Sequence, residues 1–177
     1  HPHAGAAAKL EVNIKEKSFR SSNGEAIAVL RNLHFELSQN EFACIVGPSG
    51  CGKTTALRIL LGLETDYSGT IRLPGLMHPR IGAVFQEPLL LPWRTVEQNV
   101  RLALPAHLKE TNLDGLFSTL GLSRMRNFYP GELSLGLARR AAIARALAIE
   151  PDILVLDEPF VSLVEPTALQ LPHLLVA

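Results

Sequence analysis

Apolar and polar residues alternate along Leu10-Glu11-Val12-Asn13-Ile14-Lys15, the period-two pattern of a strand with one buried face. Ser21-Ser22-Asn23-Gly24 supplies turn residues, and Ala28 to Leu37 predicts a second strand, with Phe19 in the loop between them. Phe42-Ala43-Cys44-Ile45-Val46 reads as a buried strand that runs into a glycine-rich stretch, and Thr55 to Leu61 predicts a helix. After Asp66–Thr70 and a short strand, Ile81-Gly82-Ala83-Val84-Phe85 is a further apolar run, with Pro88 ending regular pairing. Helical segments are predicted over Thr95–Leu104, Leu113–Leu120 and about Leu137–Ile149, the last offered Ser134 as an N-cap and closed by Pro151. On that last helix Leu137, Ala141, Ala144 and Ala148 fall on the buried side, and Arg139, Arg140 and Arg145 on a solvated face. Ile153-Leu154-Val155-Leu156 is continuous enough to predict a strand buried on both faces.

A chain of 177 residues with 47% hydrophobic content can fill one ordinary core. Its formal charge balances at zero, so no global field argues for nucleic acid. Cys44 in a buried strand and Cys51 in a glycine loop are poorly placed for a disulfide, which suits a reducing, cytoplasmic setting. The N-terminal residues lack the apolar core of a signal peptide, and no run reaches the ~18 apolar residues of a membrane span.

The chemistry begins at Gly47-Pro48-Ser49-Gly50-Cys51-Gly52-Lys53-Thr54, followed by Thr55, which fits the phosphate-binding loop pattern G-x-x-x-x-G-K-[ST]. A triphosphate is held best by converging backbone N–H groups, and glycine lets the backbone approach. Lys53 adds a cation for the β- and γ-phosphates, and Thr54 a hard oxygen for Mg²⁺. Strand, loop and helix in this order aim a helix N-terminus at the anion, so the stretch predicts a nucleoside triphosphate site. Gln86 follows an apolar strand, where α/β sheets place ligand-contacting groups. Asp157 and Glu158 follow another, and paired buried carboxylates call for a cation or a reaction. Asp157 suits Mg²⁺ through water; Glu158 suits a general base for an attacking water. Phe19 is either a base-stacking aromatic or a core residue at a strand end. Leu89 to Val96 is either a loop packed on the core or an exposed patch for a partner.

Together these pieces resemble the ATP-binding-cassette (ABC) transporter ATPases over roughly Leu10 to Leu163. Gln86 stands at the family's Q-loop glutamine, Leu133-Ser134-Leu135-Gly136-Leu137 at its signature, Ile153–Glu158 at its Walker B strand and catalytic glutamate, and Phe19 at its adenine-stacking aromatic. Phe85–Pro88 with Leu91–Val100 is similar to the bacterial nitrate/sulfonate/taurine importer branch. The resemblance implies an α/β fold: a P-loop NTPase (RecA-like) core with a mostly parallel sheet, N-terminal antiparallel strands and an inserted helical subdomain. It implies a core over residues 1–85 and 146–177 and a helical subdomain over 86–145. It further implies ATP and Mg²⁺ as ligands, with Thr54, Gln86 and Asp157 toward the metal and Glu158 and Gln86 in catalysis. Partners would be a second ATPase subunit, in a homodimer or pseudo-dimer whose Ser134 and Gly136 cap the γ-phosphate in trans, and a membrane permease docking near Gln86. The location implied is the cytoplasmic face of the plasma (inner) membrane.

Some positions depart from the family pattern. Leu135 replaces a signature glycine, which weakens the trans contact if that position needs close backbone approach or a positive φ. Leu137 replaces the usual Gln, and Val164 stands where the family has an Asp. His173, which follows Pro172, lies too near Glu158 to be the switch histidine, and the family's last strands are missing, so a fragment or a degenerate copy is expected. The functions in competition are therefore an importer ATPase, a nucleotide binder without turnover, and a different P-loop enzyme such as a kinase.

Overall fold

The Leu10/Val12/Ile14 alternation becomes the middle strand of an antiparallel sheet in a computed structural model that describes residues 9–38, 41, 43, 45, 52–76 and 78–157. These residues fall into two units divided between Pro79 and Arg80. In the first, β1 (Leu10–Arg20) pairs with β2 (Ala26–Leu37) on one side and β3 (Ser68–Arg72) on the other. Leu10, Val12 and Ile14 are buried as the alternation requires. The hairpin turn closes through Gly24 N–H to the Ser21 carbonyl at 2.9 Å, with Gly24 at φ 87.

The strand runs further than its pattern predicts. Phe19 is not in a loop but inside β1, opposite Ile27 of β2. Register shifts between Ile14 and Glu16 against β3, and between Lys17 and Ser18 against β2, mark bulges. The first moves the buried face from even to odd positions, so Lys17 is only 3% exposed. At Gly69, with φ 143, a Cβ would lie 2.1 Å from the Asn13 carbonyl, so only glycine permits this β1–β3 approach.

Helix α1 (Lys53–Leu60) packs Ala56 and Ile59 inward and contacts β2. It stops at Gly62, whose φ of 70 lets its N–H return to the Ile59 carbonyl at 3.0 Å. Of the predicted strand before it, Phe42, Cys44 and Val46 lie outside the described residues, and Ala43 and Ile45 are not in a strand.

The second unit holds a parallel pair, β4 (Ile81–Val84) and β5 (Ile153–Leu156), in register from Ile81↔Ile153 to Val84↔Leu156. Burial on both faces of β5 does not hold among the described residues. Val155 is buried, but Ile153, Leu154 and Leu156 are half-buried, because β4 is the one described strand beside it. Helices α2 (Val96–Leu102), α3 (Asp114–Thr119) and α4 (Leu135–Leu147) follow the three predicted segments, slightly shortened or shifted. Thr95 caps α2 in a reciprocal box: its hydroxyl accepts from the Gln98 N–H, and the Gln98 side chain accepts from the Thr95 N–H at 3.0 Å. Val96, Val100, Phe117, Leu122, Ala141 and Ala144 form the centre of the core. Full burial of a side chain such as Phe117 is worth roughly 2–3 kcal/mol. The alanines let α4 approach β4 so closely that a Cβ on Gly82 would lie 2.7 Å from the Ala146 carbonyl.

A charged knot ties α2 to the chain before α4. Glu97 accepts from Arg126 at 2.8 Å and from Arg101 at 2.7 Å. Hydrogen bonding from Arg126, then from Arg101, holds the Glu97 carboxyl down at about 2.

Candidate functional site

The described end of the glycine loop is a helix start built for an anion. Gly52 precedes α1 at φ 96, and a Cβ there would meet the Val29 carbonyl at 2.6 Å and the Leu30 side chain at 2.8 Å. Glycine is required on both counts, since the backbone is left-handed and wedged against β2. The N-cap residue, Gly52, has no side chain to cap α1, and the first turn of the helix carries no carboxylate. The positive end of the helix dipole there suits an anion. Lys53, Thr54 and Thr55 are the first three helical residues, with Thr54 exposed. Gly47, Pro48, Ser49, Gly50 and Cys51 lie outside the described residues.

The same unit brings an aromatic to this helix start. Phe19 pairs with Ile27, and Ile27 is two residues before Val29, the residue against which Gly52 rests. Two residues along a strand span about 7 Å. Phe19 is 43% exposed, so its ring is not a core side chain. Beneath it, the Lys17 ammonium lies 4.5 Å from the ring centroid. Lys17 donates to the Asp66 carbonyl at 2.6 Å and reaches carboxylate oxygens of Glu64 at 3.2 Å and Asp66 at 3.3 Å. The Asp66 N–H, then Lys17, hold the Glu64 carboxyl below its usual range. Lys17 escaped the sequence reading because strict alternation assigns it to the solvated face. The available signal was its place two residues before Phe19, which puts both side chains on one face of a strand.

In the second unit the parallel register gathers the other chemistry on one edge. The Asp157 N–H donates to the Val84 carbonyl at 2.9 Å, which extends the ladder one step past Val84↔Leu156. Asp157 therefore stands at the carboxyl end of β5, and Gln86 follows the carboxyl end of β4 with its side chain exposed. Glu158 lies outside the described residues, as does Val164. The chain after Gln86 is pinned from two directions. Fully buried Asn99 donates to the carbonyls of Leu91, Arg94 and Thr95 at 3.0–3.1 Å and accepts from the Leu91 N–H at 2.7 Å. Arg145 donates to the Pro88 and Leu89 carbonyls. It is not solvated as its polar face predicts: burial lowers its pKa, because the alanine-rich helix brings it against this loop. Leu89 and Trp93 nevertheless project from the loop, 56% and 70% exposed, while Leu90 packs on the core. The segment is both a packed loop and an exposed patch.

Ser134 caps α4, its hydroxyl accepting from the Leu137 N–H at 3.2 Å. That bond uses a lone pair and leaves the hydroxyl proton available to a ligand. The first turn of α4 has no acidic residue, and space around Gly136 is open. Leu135 adopts a helical backbone rather than a positive φ, and its side chain is 58% exposed. A leucine there brings no backbone strain. Ser134 stands about 18 Å along the helix from Ala146, at 1.5 Å per residue.

Each unit offers a donor type that a magnesium-bound triphosphate takes: a hydroxyl at Thr54 in the first and a carboxylate at Asp157 in the second. Among the described residues no cluster of three or more His, Cys, Asp or Glu could hold an ion. At nucleotide sites Mg²⁺ takes hard oxygens of this kind together with phosphate oxygens and water. Also among the described residues, no helix is long and apolar enough to cross a membrane.

A family model described as "ABC transporter" matches residues 30–161. The aliphatic sulfonates import ATP-binding protein SsuB 2 of Burkholderia lata is 43% identical over 153 residues, covering 84% of this chain and 56% of that protein. SsuB of Bacillus subtilis is likewise 43% identical, over 157 residues, covering 84% and 60%. The chain thus spans less than two thirds of the length of these curated relatives. Among solved structures, a dimeric post-hydrolysis state of the ATP-binding cassette MJ0796, bound to ADP and Pi, aligns with a TM-score of 0.76 at 28% identity. That alignment covers 91% of this chain and 78% of the other.

Proposed function

The chain belongs to the ABC transporter family, and from that premise we propose that it binds Mg-ATP and hydrolyses it to power import of a small solute. The observation that carries the proposal is the α1 N-terminus, led by a left-handed Gly52 wedged on β2, with no carboxylate in its first turn and an exposed Phe19 in the same unit. The relatives' names, aliphatic sulfonates import ATP-binding proteins, favour a sulfonate-like solute within the nitrate/sulfonate/taurine branch. The core over residues 1–85 and 146–177 and the helical subdomain over 86–145 belong to the same proposal.

Each residue has a defined task in this reading. The loop from Gly47 through Cys51 and Gly52 presents backbone N–H groups to the phosphates, and the Lys53 ammonium offsets charge at the γ-phosphate. Thr55 follows on the same helix start, and Phe19 stacks on the base. The Thr54 hydroxyl, Gln86 and Asp157, partly through water, hold Mg²⁺, which when bound draws charge from the β- and γ-phosphate oxygens. Glu158 accepts a proton from water as its oxygen bonds to the γ-phosphorus; the bridging P–O bond breaks and its electron pair leaves on ADP. A second copy supplies the Ser134 hydroxyl proton and the α4 N-terminus at Gly136 to the γ-phosphate, a reading favoured by dimeric structural neighbours. The exposed patch at Leu89 and Trp93, beside Gln86, suits a membrane permease that would hold the protein at the cytoplasmic face of the inner membrane.

Phosphate release from Mg-ATP by the full chain tests this reading. Glu158→Gln should lower the rate at least about a hundredfold, in line with loss of a general base. Equal rates for the two proteins would contradict it.

A further inference from the structure

Lys17 is a buried cation that neither the fold nor the phosphate chemistry explains. Burying an ammonium is unfavourable unless its donors are met, and lysine is almost never fully buried without partners. Here the Asp66 carbonyl and the Glu64 and Asp66 carboxylates meet it at 2.6–3.3 Å, all on the segment that follows α1. A hydrophobic residue at this position would satisfy the core with no such network. The register shift between Ile14 and Glu16 turns the side chain inward, and the two-residue spacing puts it on the same face as Phe19.

We propose that Lys17 is a positioning residue for nucleobase binding: anchored by Glu64 and Asp66, its ammonium holds the Phe19 ring as a preformed stacking platform. The proposal rests on the reading of Phe19 as the base-stacking residue. With the ammonium 4.5 Å from the ring centroid, cation–π attraction fixes the ring without covering the exposed remainder. Electron density drawn toward the cation leaves the ring a better partner for an electron-rich purine face. A platform ordered before binding loses less side-chain entropy when the base arrives. The ring has no hydrogen-bonding group, so the platform reads a flat base rather than its edge and serves ATP and GTP alike.

The test compares Mg-ATP with Mg-tripolyphosphate, which shares the phosphates and lacks the base, by calorimetric titration of the full chain. Lys17→Met should weaken Mg-ATP about three- to tenfold and leave tripolyphosphate within about twofold, and Lys17→Arg should restore most of the loss. In a Phe19→Ala background, Lys17→Met should have no further effect on Mg-ATP. Should Lys17→Met not fold, Glu64→Gln, which removes one anchor at the edge of the network, should show a smaller loss confined to ATP. Equal weakening of both ligands by the variant that folds, or no weakening of either, overturns the proposal. If Phe19→Ala itself leaves Mg-ATP affinity unchanged, the reading of Phe19 fails and the proposal falls with it. If Phe19→Ala weakens ATP while Lys17→Met does not, only the positioning role fails.

Discussion

The guanidinium of Arg145 donates to the Leu89 carbonyl at 2.8 Å and, through its other terminal nitrogen, to the Pro88 carbonyl at 3.0 Å. Leu89 sits at φ 49, a left-handed backbone that costs a leucine about 1–2 kcal/mol. Helix α4, capped by Ser134 at one end, thus clamps a strained turn three residues beyond Gln86 with Arg145 near the other. The fork needs a planar group with donors on two nitrogens, which lysine lacks.

Arg145→Met should therefore destabilise the protein by about 2–3 kcal/mol, the loss of charged hydrogen bonds at a partly buried site. Arg145→Lys should recover less than half of that. Urea denaturation measures both, and a full recovery by lysine would show that charge alone suffices.

Asn99 is the second clamp on the same loop, and it is fully buried. Asn99→Leu keeps the branched shape but strands the Leu91 N–H and the Arg94 carbonyl, while the Leu91 and Thr95 carbonyls keep their backbone donors, at about 1–3 kcal/mol for a buried group left unpaired. The chain's single tryptophan, Trp93, lies in the clamped loop and is already 70% exposed. Its fluorescence anisotropy should fall in the variant as the loop loosens.

Glu97 gives a pH dependence with a definite sign. Its carboxyl is held at about 2 in the folded chain against an ordinary 4.5, first by Arg126 and then by Arg101. The contribution is fully present above the unfolded pKa and is lost as pH falls from about 4.5 through about 2. Discounted for solvent screening, it is worth about 1–2 kcal/mol. The stability gap between wild type and Glu97→Gln should close over that acid window and stay constant from pH 6 to 8.

Gly52→Ala forces a Cβ to within 2.6 Å of the Val29 carbonyl at φ 96. Relief requires α1 to move off β2, which shifts the helix start proposed to hold the phosphates. Mg-ATP affinity should fall at least about tenfold while the unfolding free energy falls by about 1–3 kcal/mol, the usual cost of local backbone strain. Isothermal titration and urea denaturation read the two effects separately.

Much of this was legible wherever local chemistry decides the structure. Thr95 and Ser134 stand at helix starts because a hydroxyl oxygen accepts a first-turn N–H, and both do cap. The Ile81 and Ile153 runs became strands because continuous apolar residues demand cover. What stayed hidden depends on partners distant in sequence. Arg145 looked solvated because its partners lie at Pro88 and Leu89, which no helical period reveals. Lys17 looked exposed because a bulge moves every following side chain to the other face, and a bulge is fixed by the neighbouring strands. At Leu135 the helical backbone answers only half of the concern raised by a missing glycine, since no positive φ is required there.

The central claim is that the start of α1 holds the phosphates of a nucleotide, and titration of Mg-ATP into the full chain and its Lys53→Ala variant tests it most directly. Loss of the ammonium from a phosphate site should weaken binding at least about tenfold, or 1.4 kcal/mol. Equal affinity in the two proteins, or no binding by the wild-type chain, would contradict the account.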